Sequence, residues 1–203
     1  MSSQYFPTVG YMSMFLRNEQ VFLEKWENYN KQSYRNRCRI MTSQGVISLS
    51  VPVQKKKTKL RISEVNIDYG QKWVNQHLRT IRSAYGKAPF FEFYWTEIHR
   101  ILSTGTTNLF DLNTKILTQC LTWLDYSDSI CCTEGYFPST KQPAWDLRDV
   151  IHPKKHYLTQ ISFCPQSYTQ VFGNNFVEEL SILDLLFCEG PGARQVILNG
   201  IMV

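Results

Sequence analysis

The chain has 203 residues, enough for one sizeable core, and its 43% hydrophobic and 14% aromatic content excludes a disordered segment. A formal charge of +5, from 22 basic and 17 acidic residues, falls short of a dedicated nucleic-acid binder. It fits an anionic small molecule or an acidic surface. No basic region with an apolar run opens the chain, no stretch reaches the about 18 apolar residues of a membrane span, and six cysteines lack CxxC spacing. Reduced thiols and a cytoplasmic location are expected.

In chain order, residues 2–6 are expected as a short strand halted at Pro7. Pro7 to Asn18 follows as a helix with Val9, Met12, Phe15 and Leu16 on one side. Gln20 to Trp26, carrying Val21, Phe22 and Leu23, is the next strand. Strand, helix, strand predicts a βαβ opening with parallel pairing. Arg37 to Thr42 and Val46 to Val53, separated by Ser43-Gln44-Gly45, form a hairpin signal with Gly45 free to take positive φ. Leu60 to Ile67 alternates as a further strand.

Helices are expected from Gln71 to Tyr85, with Trp73, His77, Ile81 and Tyr85 on one stripe, then from Phe90 to Leu102 and Thr107 to Leu124. Residues 133–158, with Gly135, Pro138, Pro143 and Pro153, are expected as long loops. Order returns at Tyr168 to Phe172 and in a helix through Leu180–Phe187, stopped by Glu189-Gly-Pro-Gly192. The fold class predicted is α/β: a mixed sheet with a βαβ opening, a following β-hairpin and a central group of helices. One domain over 1–203 is expected, with a sheet-rich part at 1–70, a helical part at 71–130 and a loop-rich closing part at 131–203.

The sharpest constellation is Gln32-Ser-Tyr-Arg-Asn-Arg-Cys-Arg-Ile40. If it is extended, Arg35, Arg37 and Arg39 leave one face together, suited to a phosphate or carboxylate, or to cross-strand acids such as Glu24, Glu27 or Glu64. Lys55, Lys56, Lys57, Lys59 and Arg61 form a denser run, read as a solubilising loop or an anion funnel. His77 on its apolar stripe is either a general base or a hydrogen-bonded core residue. His152 and His156 flank Pro153 and have no partner at zinc-ligand spacing, so no metal is expected. Ser181-x-x-Asp184 is a capping-box pattern.

These segments together resemble the WbqC-like family of bacteria. The residues that carry this are Gln4-Tyr-Phe-Pro-Thr-Val-Gly-Tyr11, Lys31 to Ile40, Leu49-Ser-Val-Pro-Val53, Trp73-x-x-x-His77, Pro89-Phe-Phe91, Tyr168-Thr-Gln170 and Leu180-Ser-Ile-Leu-Asp-Leu-Leu-Phe187. Departures are Glu24-Lys25 where paired aspartates are usual, and residues 133–158 in place of a Gly-Ala-x-x-Tyr-Leu-Ser-Gly-like segment. The resemblance implies a role in surface polysaccharide (O-antigen) biosynthesis, by binding or group transfer on a phosphorylated or nucleotide-linked sugar. On that reading Arg35, Arg37 and Arg39 hold the diphosphate, while Tyr34 and Asn36 orient the strand or the sugar. Tyr11, Trp73 and Gln170 complete the substrate-binding set. His77 is the candidate base, with Asp184 in support. The alternatives are a non-catalytic scaffold of the same pathway, and RNA binding through the lysine run. The sequence names no cofactor and no oligomeric state.

Overall fold

The computed structural model describes residues 1–54, 59–136, 146–148 and 150–202. Lys55, Lys56, Lys57, Pro138 and Pro143 lie outside the described residues. The architecture is mixed α/β. Six α-helices accompany a two-stranded parallel sheet and an antiparallel hairpin among the described residues.

Helix α1 (Val9–Arg17) begins at Thr8, whose hydroxyl accepts from the Tyr11 amide, and buries Met12, Met14 and Phe15. The strand expected over residues 2–6 is not formed. Ser2, Ser3 and Gln4 are buried but held by side chains instead of a ladder. The Ser2 hydroxyl donates to Glu27, Ser3 Oγ accepts from Asn113, and Gln4 Oε1 accepts from the Thr8 amide. The backbone adds only scattered long-range bonds, Tyr5 N–H to the Tyr34 carbonyl and Glu24 N–H to the Met1 carbonyl, which do not make a ladder.

Strand β1 (Phe22–Leu23) pairs in parallel with β4 (Cys131–Cys132), with Phe22 opposite Cys131 and Leu23 opposite Cys132. Parallel pairing therefore occurs, but between segments far apart in the chain. The hairpin is β2 (Arg37–Thr42) with β3 (Gly45–Ser50), registered from Arg37↔Ser50 to Thr42↔Gly45. Gly45 turns it at φ +98°, a left-handed conformation that glycine takes without steric cost. The segment expected as a strand over 60–67 is instead a 3₁₀ turn at Ile62–Glu64, flanked by the isolated bridges Asn28↔Arg61 and Val53↔Ile67.

Helices α2 (Trp73–Tyr85), α3 (Phe91–Ser103) and α4 (Leu109–Trp123) lie where the periodicity predicts them. Their boundaries follow the local chemistry: Asn108 caps α4 by accepting from the Phe110 and Asp111 amides. Among its described residues, 133–158 contains neither helix nor strand. The Tyr168–Phe172 stretch runs as loop.

Helix α5 (Ile182–Glu189) is capped by Ser181 and buries every residue from Ile182 to Cys188, including Asp184. A helix apolar nearly all round belongs inside a core. It packs against α1, α3, β2 and the final helix α6 (Ala193–Asn199), which the sequence reading did not anticipate beyond the Gly-Pro-Gly stop.

Candidate functional site

The arginine segment divides into three fates. Arg35 stands in a turn before β2, so the three side chains do not share one strand face. Its guanidinium is 4% exposed and forks onto Glu27, with Nε 2.9 Å from Oε1 and Nη2 2.5 Å from Oε2, and it also donates to the Ser2 hydroxyl. A nearby arginine, Arg148, reaches Glu24 at 3.3 Å and Asp146 at 2.5 Å. Together these form a largely buried ionic network, in which the expected acid partner of Arg35 is Glu27. Two guanidinium groups face three carboxylates, and the Met1 ammonium supplies a third cation beside Glu27, Asp146 and Glu24, so the charges balance as burial requires.

Arg39 lies 3.8 Å from Glu179 and beside the Tyr34 hydroxyl, whose pKa is pushed up to about 12, chiefly by burial and next by Glu179. Arg37, half-buried on β2, has no ion pair, and its Nε makes no hydrogen bond among the described residues. Asn36 Nδ2 donates to the Val51 carbonyl while its Oδ1 is unpartnered.

His77 is 3% exposed. Its Nδ1 lies 2.8 Å from the Tyr5 hydroxyl, and its ring is hydrogen-bonded to the Ser50 backbone, with Trp73 packed edge-on at 5.2 Å. Burial drops its pKa to about 4, so the imidazole is neutral near pH 7. Trp73 is buried, and Tyr11 donates to the Ser2 carbonyl.

Asp184 and Gln170 do come together. Asp184 is 0% exposed and accepts from Tyr85 (2.8 Å), Tyr168 (2.7 Å) and Gln170 Nε2 (3.0 Å). Burial raises the carboxyl above its ordinary range, and the three donors oppose that rise. Gln170 also clasps Val177, donating to its carbonyl and accepting from its amide, which pins the ends of the 170–177 loop. His77 and Asp184 thus sit in separate hydrogen-bond groups.

Above the Asp184 cluster lies an open groove of about 760 Å³. Its walls are the end of α2 and the following link (Arg82, Ser83, Gly86, Lys87), the hairpin turn (Ser43), the loop from Thr169 to Phe172 and Cys188 of α5. A second lobe of about 290 Å³ adjoins it through Ser43, Ser83, Ala84 and Phe172, and adds Arg79, Thr80 and Thr42. No Asp or Glu lines either lobe, and Arg79, Arg82 and Lys87 make no ion pair among the described residues. The carboxyl-terminal ends of α2 and α5 approach this groove and each carries about half a negative charge. Arg79, Arg82 and Lys87 thus line the two lobes with no carboxylate among the lining residues.

Cys188 forms part of the wall, its thiol pushed up to about 12 by burial and by Asp184, hence protonated and unreactive. Among the described residues no three His, Cys, Asp or Glu side chains stand together as metal ligands would. No described helix is long and apolar enough to cross a membrane.

Sequence reasoning reached only Gln170 in this groove. The signal for the rest was the pair Arg79 and Arg82, one turn apart on the polar face of α2, followed by Lys87.

Comparison with known proteins places residues 2–162 within the model of the WbqC-like protein family. Uncharacterized protein Rv1507c of Mycobacterium tuberculosis (strain ATCC 25618 / H37Rv) is 31% identical over 216 aligned positions, covering 94% of this chain and 93% of the relative. No solved structure matches the chain.

Proposed function

The chain belongs to the WbqC-like protein family, and from that premise we propose that it binds a phosphorylated or nucleotide-linked sugar during surface polysaccharide biosynthesis. The observation that carries this reading is the acid-free groove lined by Arg79, Arg82 and Lys87 with the hydroxyls of Ser43 and Ser83. Guanidinium groups donate pairs of hydrogen bonds to phosphate oxygens, and hydroxyls suit a sugar. Of the sequence-predicted arginines, Arg35 and Arg39 are engaged by Glu27 and Glu179 and Arg37 does not line the groove, so the ligand cations are assigned to Arg79 and Arg82 of α2 and Lys87 of the link after it.

Group transfer on the same ligand is the second reading. It is favoured by Gln170, which lines the groove while bonded to Asp184. Against a direct chemical role, both His77 and Asp184 are sealed and fully engaged. Isothermal titration with inorganic phosphate and with a uridine-diphosphate hexose tests the binding. We expect saturable binding that weakens as ionic strength rises and that drops at least about tenfold in Arg82→Ala. No heat of binding with either anion would overturn the proposal.

A further inference from the structure

Resting on that reading of the groove, we infer that the ligand is diphosphate-bridged, with one phosphate in each of the two adjoining lobes. The smaller lobe is lined by Arg79 and the larger by Arg82 and Lys87, and the two meet at Ser43 and Ser83. Arg79 and Arg82 stand three positions apart on an exposed helical face, where neighbouring Cβ atoms lie about 5–6 Å apart. Two arginines rooted at that spacing, one lining each lobe, suit two linked anions better than one. A lone phosphate would leave one cation idle.

The junction adds a second element. Phe172 lines both lobes and offers an apolar surface where they join. A sugar or base carried by the diphosphate would lie against it, since ring faces pack on aromatic side chains. The 170–177 loop that presents Phe172 is pinned at its base by the Gln170–Val177 pair. The aromatic ring therefore comes on a closed, anchored loop.

The experiment compares orthophosphate, pyrophosphate and a uridine-diphosphate hexose by titration calorimetry on the full chain, with the variants Arg79→Ala and Phe172→Ala. Pyrophosphate is expected to bind at least about tenfold tighter than orthophosphate. Arg79→Ala should weaken pyrophosphate about tenfold while changing orthophosphate less than about twofold, because the larger lobe keeps Arg82 and Lys87. Phe172→Ala should weaken the nucleotide sugar and spare pyrophosphate. Arg79 is exposed, so an unchanged melting temperature confirms that this variant folds.

Orthophosphate binding as tightly as pyrophosphate, or Arg79→Ala weakening both equally, would overturn the two-phosphate inference and leave the anion groove standing. Failure of all three ligands to bind would remove the groove reading itself.

Discussion

At the scale of single residues, the decisive contrast is between an arginine with a buried partner and one without. Removing the side chain of Arg35 strands Glu27 as a buried charge, so Arg35→Ala should cost about 3–5 kcal/mol in a denaturant titration. Replacing both, with Arg35→Met and Glu27→Leu, should recover most of that loss. Arg37→Ala breaks no ion pair and should stay within about 1 kcal/mol. A large loss in Arg37→Ala, or a small one in Arg35→Ala, would contradict the assignment of these two roles.

Spacing alone did not separate those fates, because the backbone turns at Arg35 and extends only from Arg37. The same limit applied to His77: the apolar stripe predicted its burial, but its partner Tyr5 lies 72 residues away. Its titration has a measurable sign. The folded pKa of about 4 lies below the ordinary value of 6.5, so the unfolded chain binds the proton first. That stabilising contribution is full above pH 6.5 and is lost as pH falls toward 4. The expected loss, relative to His77→Gln at the same pH values, is on the order of 2–3 kcal/mol. Identical pH dependence of both proteins would refute it.

Among the elements, the helices were the most legible. Their apolar stripes repeat with the helical period over 13 to 15 residues in α2, α3 and α4, and Ser181 caps α5 as its capping-box pattern suggested, although the Asp184 carboxyl turns to Tyr85, Tyr168 and Gln170 instead of closing the box. Short strands were the least legible. A two-residue strand such as β1 carries no alternation, and the buried 2–6 segment is held by long-range polar contacts and by the core packing of Tyr5 and Phe6, which no local pattern announces.

The link from α5 to α6 offers a test at this scale. Gly190 takes φ +56° and ψ −127°, and a Cβ built there would lie 2.4 Å from the Phe90 ring. Gly190→Ala combines backbone strain with overpacking and should cost about 2–5 kcal/mol. A melting temperature close to that of the parent would show that Phe90 yields.

For the whole molecule, α5 organises the assembly. It touches α1, α3, α6 and β2, and carries its buried carboxylate, Asp184, inward to Tyr85, Tyr168 and Gln170. Asp184 gains its raised pKa from that burial, so the folded state holds its proton more tightly than the unfolded chain. This contribution therefore favours folding in acid and fades as pH climbs through the raised value, opposite in sign to that of His77. Asp184→Asn should remove it, which denaturation across the acid range would reveal.

The groove could not be read from the sequence because its walls come from the hairpin turn, α2, a late loop and α5, segments spread from Thr42 to Cys188. Only the folded chain brings Arg79, Arg82 and Lys87 opposite Phe172. Family membership located the chain among relatives; the placement of charge located the groove.

The Gln170–Val177 clasp has a consequence for exchanging the loop it closes. Both ends of the loop are tied by one side chain to a single residue, and that side chain is anchored to Asp184. Exchange of residues 171–176 then leaves both anchors of the loop, Gln170 and Val177, in place. On the proposed reading of the groove, grafting these positions from a relative should move selectivity, at a stability cost confined to the packing of Val171, Phe172 and Phe176.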